Sequence, residues 1–143
     1  MPEDNKTLVR RVFEEVWNQR KLDVADHLLA PDYVSHDPAS PDFGRGPGAL
    51  KRLVQYYTDA FPDAHFTIEE LISEGDRVVA RWTVTGTQRG QLGDIPATNR
   101  RVTVTGVEIV RIVNGKVREA WGAWDALGLM RQLGAVQTIA RGA

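Results

Sequence analysis

The sequence predicts an α+β domain, with helices gathered on one face of an antiparallel sheet. Three observations carry this. Before Pro62 the apolar residues recur at helical spacing; after residue 64 they alternate among Val, Ile, Thr and Trp; and Asn114-Gly115 is a strong hairpin signal between two such runs. Helices first and strands afterwards is the pattern of helices packed on one side of a sheet.

The elements follow in order. Leu8, Val9, Val12, Phe13, Val16 and Trp17 fall on one helical face, with Arg10, Arg11, Glu14 and Glu15 on the other. A short second helix carries Leu22, Ala25, Leu28 and Leu29 and is expected to stop near Pro31, because proline restricts the residue before it. Tyr33 to His36 reads as a short strand, and the stretch DPASPDFGRG from Asp37 to Gly46 as a loop. Pro47 suits a first helical position, and Leu50, Leu53, Val54, Tyr57 and Phe61 mark the third helix. Strands are expected around Phe66 to Leu71, Val78 to Thr87, Val102 to Val113 and Val117 to Trp124, with a turn at Gly75-Asp76 and a longer loop from Gly90 to Asn99. Asp125 caps a final helix, Ala126 to Leu133, that ends at Gly134; the tail beyond is expected to be loosely held.

Length and composition bound the answer. The chain has 143 residues, which allows one domain, 1–143, with a core of about residues 5–134. It contains no cysteine, excluding a disulfide scaffold, a thiolate zinc site and a cysteine nucleophile. With 18 Lys+Arg against 19 Asp+Glu, the net charge of −1 argues against a nucleic acid or an anionic membrane as partner. No apolar run approaches the roughly 18 residues of a membrane span, and the start MPEDNK lacks the layout of a signal peptide. A cytoplasmic location is therefore expected.

A strongly curved sheet under helices leaves a gap for a small molecule, and the hairpin register says which side chains share a face, inner or outer. A regular two-residue turn at Asn114-Gly115 sets Val113 against Lys116, Val110 against Glu119 and Glu108 against Trp121. Glu108 and Glu119 then share a face beside an indole, roughly 7–8 Å apart on the diagonal. Enclosed together, two carboxyls raise at least one pKa and supply an acid or base near neutral pH. The other reading pairs them with Arg81, Arg101 or Arg118 as structural ion pairs.

Other side chains carry two readings as well. Arg81 lies mid-strand in VVARWTVTG, as an outer-face charge or as an inward partner for a carboxylate. His36, at a strand end, is a proton carrier or a structural hydrogen-bonding residue. Trp17, Tyr33, Tyr57, Phe61, Trp82, Trp121 and Trp124 line a cavity, fill the core, or do both. His27 and His65 read as surface positions, and three separated histidines do not make a zinc site, so no metal is expected. No phosphate loop or nucleophile elbow is present.

From Asn5 to Gly134 the chain resembles the SnoaL-like polyketide (ester) cyclases of the nuclear-transport-factor-2-like superfamily. The matching stretches are VRRVFEEVWNQRKLDVADHLLAPDYVSHDP, FPDAHFTIEELISEGDRVVARWTVTGT, GDIPATNRRV and, most specifically, RIVNGKVREAWGAWDALGLMRQLG. The resemblance implies a cone-shaped, strongly bent antiparallel or mixed sheet capped by N-terminal helices, dimerising through sheet surfaces. It implies ring closure by intramolecular aldol condensation without a cofactor. The family's catalytic aspartate position falls on Gly122 and its histidine position on Glu108.

Three functions remain in view. One is a cofactor-free enzyme moving a proton on a hydrophobic, oxygenated small molecule, with Glu108 or Glu119 as base and Arg81 or His36 steadying negative charge. Another is a binding protein that holds such a molecule unchanged, consistent with Gly122. The third is a dimeric assembly module, since a sheet with Val and Thr on both faces needs its outer face covered. A homodimer is expected under all three.

Overall fold

The computed structural model describes residues 4–136. Residues 137–143, most of the expected loose tail, lie outside the described residues. The chain opens with helix α1 (Asn5–Arg11), which widens without a break into a π-helical turn over Val12–Asn18. The spacing predicted an α-helix throughout; the wider turn carries Phe13 and Val16 into the core and Trp17 to its edge. Asn18 then grips the sheet by donating to the Phe66 carbonyl (2.9 Å) and accepting from the Phe66 N–H (2.7 Å).

A 3₁₀ turn (Leu22–Val24) leads into the short helix α2 (Ala25–Leu28), then strand β1 (Leu29–His36). The strand begins earlier than Tyr33 and runs through Pro31. This is tolerated because β1 is an edge strand whose pairing is irregular between Leu29 and Val34. Helix α3 (Pro47–Ala60) buries Ala49, Leu50, Val54 and Ala60. Strands β2 (His65–Glu74), β3 (Arg77–Thr87), β4 (Arg101–Val113) and β5 (Lys116–Trp124) follow, then helix α4 (Ala126–Gln132). Asp125 caps α4 by accepting from the Gly128 N–H (2.8 Å). Gln132 ties the helix to β4 through two bonds with the Thr103 backbone, each 2.8 Å.

The five strands form one mixed sheet in the order β1-β5-β4-β3-β2, with β1 parallel to β5 and the other pairs antiparallel. Helices α1 and α3 cover its inner face, and the core lies between. Leu8, Val9, Phe13, Val16 and Val54 from the helical side meet Val78, Ala80, Val104, Val110, Val117 and Ala120 of the sheet.

The β4–β5 hairpin decides the site. Asn114 and Gly115 both take positive φ, 52° and 76°, as a two-residue turn requires. Val113 opposes Lys116 and Ile112 opposes Val117 as the regular register predicts, but Arg111 then opposes Glu119. Arg118 is the extra residue of a β-bulge; its side chain reaches Asp32 on β1, at 3.0 Å to the carboxylate and 3.1 Å to the carbonyl. Beyond this slip every β5 side chain is on the opposite face from the regular expectation. Glu108 therefore opposes Gly122, and Trp121 opposes Ile109. The expectation that Glu108 and Glu119 share a face is overturned.

Gly106 shows how tightly the inner face is made. In cross-strand register it lies between Trp82 of β3 and Trp124 of β5. A Cβ there would collide with the Trp82 ring and sit 2.7 Å from Trp124 Cβ. Gly106→Ala is expected to destabilise the fold by about 1–3 kcal/mol, the range for overpacking. Urea unfolding measures it; an unchanged midpoint would mean that the two indoles have room to move apart.

Candidate active site

Helices and sheet enclose a cavity of about 130 Å³. Its wall is aromatic and aliphatic because the inward positions of α1, its π turn and α3 meet the inward positions of β2 to β5. Trp17 and Phe66 have ring centroids 4.9 Å apart, Phe66 and Trp82 5.0 Å, and Tyr57 and Trp124 6.1 Å. Trp17, Tyr33, Tyr57, Phe61, Trp82 and Trp124 all line the cavity; Trp121 does not. The bulge turns Trp121 outward, where it stacks on His36 (centroids 5.6 Å) and lies under the Arg77 guanidinium (5.2 Å). A second hollow of about 320 Å³ adjoins the first beneath the loop after β1, and Tyr33, Ser35, Asp37 and Ser40 line both.

Among the described residues lining the inner cavity, Glu108 and Asp37 alone bear a charge-forming group other than a phenol, and no Lys, Arg or His is present. Glu108 stands on β4 between Ala80 of β3 and Gly122 of β5, neither of which offers a partner. Burial pushes its carboxyl up to about 7, and the Asp37 charge adds to the rise. It thus holds and releases a proton near neutral pH. Burial also raises both phenols facing it: Tyr57 to about 12, and Tyr33 well above the ordinary range, with the charge of Glu108 contributing.

Asp37 is held by neutral donors. Trp124 Nε1–H reaches both carboxylate oxygens, at 3.2 and 3.1 Å. Ser40 Oγ–H donates at 2.6 Å and the Ala39 N–H at 3.0 Å. Ser40 Oγ also lies 2.8 Å from the Tyr57 hydroxyl. A serine has one proton; with it given to Asp37, Tyr57 must donate to Ser40. The chain of bonds therefore runs from Tyr57 through Ser40 to Asp37.

Residues 7–133 match the family model of SnoaL-like polyketide cyclase. The chain belongs to that family. It is 36% identical over 132 residues to aklanonic acid methyl ester cyclase DnrD of Streptomyces peucetius, covering 89% of this chain and 88% of that one. It is 34% identical over 121 residues to nogalonic acid methyl ester cyclase of Streptomyces nogalater, covering 82% and 89%. The solved structure of TsrD from Streptomyces laurentii superposes with a TM-score of 0.82 at 33% identity, covering 92% of this chain and 95% of that one.

The remaining predicted site residues lie away from the cavity of this family member. Glu119 projects from the outer face, where His36 Nε2 lies 2.7 Å from one carboxylate oxygen and Arg111 3.1 Å from the other. Its His36 hydrogen bond and Arg111 hold the carboxyl below the usual range. His36 borders the outer hollow, but its ring is engaged with Glu119 and Trp121. Arg81 is exposed on the outer face, 3.2 Å from Glu70. Strand alternation puts it there, because Ala80 and Trp82 take the inward positions.

Sequence reading missed Ser35, which it placed in the short strand without a role, and Asp37 and Ser40, which it left among loop residues. The signal for Asp37 was its Asp-Pro-Ala-Ser context, in which an aspartate accepts from the backbone two residues on. Among the described residues no cluster of three His, Cys, Asp or Glu is arranged to hold a metal ion. No helix among them is long and apolar enough to cross a membrane.

Proposed function

We propose that this SnoaL-like cyclase closes a ring in a hydrophobic, oxygenated polyketide ester by a cofactor-free intramolecular aldol reaction, with Glu108 carrying the proton. The observation behind the reading is the Glu108 carboxyl, poised near pH 7 in a largely apolar cavity that it shares with Asp37 and whose lining holds no Lys, Arg or His. Ionised Glu108 takes a proton from a carbon next to a carbonyl. The resulting enolate carbon bonds to a second carbonyl carbon, and the new alkoxide receives the proton back from Glu108. The product is an isomer of the substrate and the carboxylate is regenerated. Tyr33, on β1 and facing the same cavity, is placed to donate to the developing oxyanion. The names of the methyl ester cyclase relatives supply the substrate class.

The test is incubation with aklanonic acid methyl ester without added cofactor, followed by mass spectrometry and chromatography. A ring-closed product of unchanged mass is expected. Stoichiometric binding with the ester recovered intact would instead support a carrier without chemistry, the reading favoured by Gly122 at the family's aspartate position.

The proposal includes a cytoplasmic homodimer joined through the outer sheet face. Ile72, Val107 and Ile109 are 53%, 39% and 38% exposed there, an apolar strip that a second copy would cover. Light scattering at micromolar concentration is expected to give twice the chain mass; a monomer would contradict it.

A further inference from the structure

We propose that Asp37 is the positioning residue for Glu108: a fixed negative charge, set across an empty point on the sheet, that makes Glu108 a stronger base. The inference deepens the reading above and rests on Glu108 acting in the cavity.

The geometry begins at Gly122. Glu108 stands directly opposite it on the neighbouring strand, and opposed Cβ positions in an antiparallel pair lie about 4.5–5.5 Å apart. A Cβ built on Gly122 would lie 3.9 Å from both Cβ and Cγ of Asp37. The Asp37 side chain thus sits against the open position that Gly122 leaves, directly across from the root of Glu108, and both side chains line the cavity. Neither reaches a cation within the cavity.

Asp37 is not free to serve as the proton carrier. Its oxygens already accept from the Trp124 indole, the Ser40 hydroxyl and the Ala39 amide. Because all three donors are neutral, its charge is oriented without being cancelled and acts on Glu108 through a medium of low polarity. Tyr57 contributes through Ser40, so its proton is committed to holding Asp37 and is not available to a ligand. The titratable groups facing the cavity with Glu108 are Tyr33 from β1, Asp37 from the loop just after it and Tyr57 from α3. The strands on either side oppose it with Ala80 and Gly122, and the α1 side contributes Val9, Val12, Phe13 and Trp17 to the cavity.

The test is a carboxyl ¹³C titration of protein labelled at glutamate, with the Glu108 signal assigned by its loss in Glu108→Gln. Wild type is compared with Asp37→Asn, which keeps the shape and can still accept from Trp124. A lower Glu108 midpoint is expected in the variant; an unchanged or higher one overturns the proposal. If Asp37→Asn does not fold, Asp37→Ser gives the same comparison. Where wild type turns over the ester, the acidic limb of its kcat/KM profile is expected to move to lower pH in the variant. A wild type that makes no product would defeat the cyclase reading, while the midpoint comparison would still decide whether Asp37 acts on Glu108.

Discussion

Glu108→Gln is expected to lower turnover of the ring-open ester by about 10²–10⁴-fold, the range for removing a general acid–base group. The substitution keeps the side-chain shape and hydrogen-bonding capacity but cannot exchange a proton. No other group in the cavity takes its place: Asp37 is saturated by donors, and burial holds Tyr57 protonated to about pH 12. Initial rates at pH 8 measure the loss, with circular dichroism showing an intact fold. Glu119→Gln is the matched control. Its carboxyl faces outward to His36 and Arg111, so turnover is expected within twofold of wild type. Wild-type rates in Glu108→Gln would remove Glu108 from the mechanism.

The same substitution is expected to stabilise the protein at alkaline pH. Below about pH 4.5, the ordinary value for a glutamate, Glu108 is protonated in both folded and unfolded chains and contributes no pH dependence. Between there and about 7 the unfolded chain releases the proton while the folded chain keeps it, so stability falls as pH rises. Above about 7 both states are ionised and the loss is constant. At 1.36 kcal/mol per pKa unit, the difference reaches about 3 kcal/mol. Glu108→Gln never forms the buried charge. It is expected to exceed wild type by up to about 3 kcal/mol at pH 8, with the gap closing below about pH 5. Urea unfolding across that range measures it, and a gap independent of pH would place Glu108 in contact with bulk water. Lower activity with higher stability is what a strained functional carboxyl produces.

The fold was legible because its signals are local and repeated. Helical spacing from Leu8 to Trp17, Pro47 at a helix start, Asp125 at a cap and Asn114-Gly115 at a turn each report the backbone conformation of a few neighbouring residues. The site was legible only in part. Glu108 and six of the seven named aromatics line the cavity. The pairing of Glu108 with Glu119 failed at one residue, Arg118, whose bulge reverses the face of everything after it in β5. A trace of the slip is in the sequence: the buried residues Val117 and Ala120 are three apart, where regular alternation requires two.

By itself, then, the sequence determined the α+β order of elements and the family resemblance, and left open whether Glu108 points inward. The order of elements follows from periodicity and turn chemistry, which act over a few residues, and the resemblance from the stretches of sequence that match. Only the tertiary structure decided which carboxyl is Glu108's neighbour. Glu119 is eleven positions away in the chain yet lies on the other side of the sheet, while Asp37, in a loop far earlier, comes to the cavity because β1 runs parallel to β5. Proximity across an edge strand depends on the crossover that brings it there, and no local pattern in the sequence encodes which strand β1 joins.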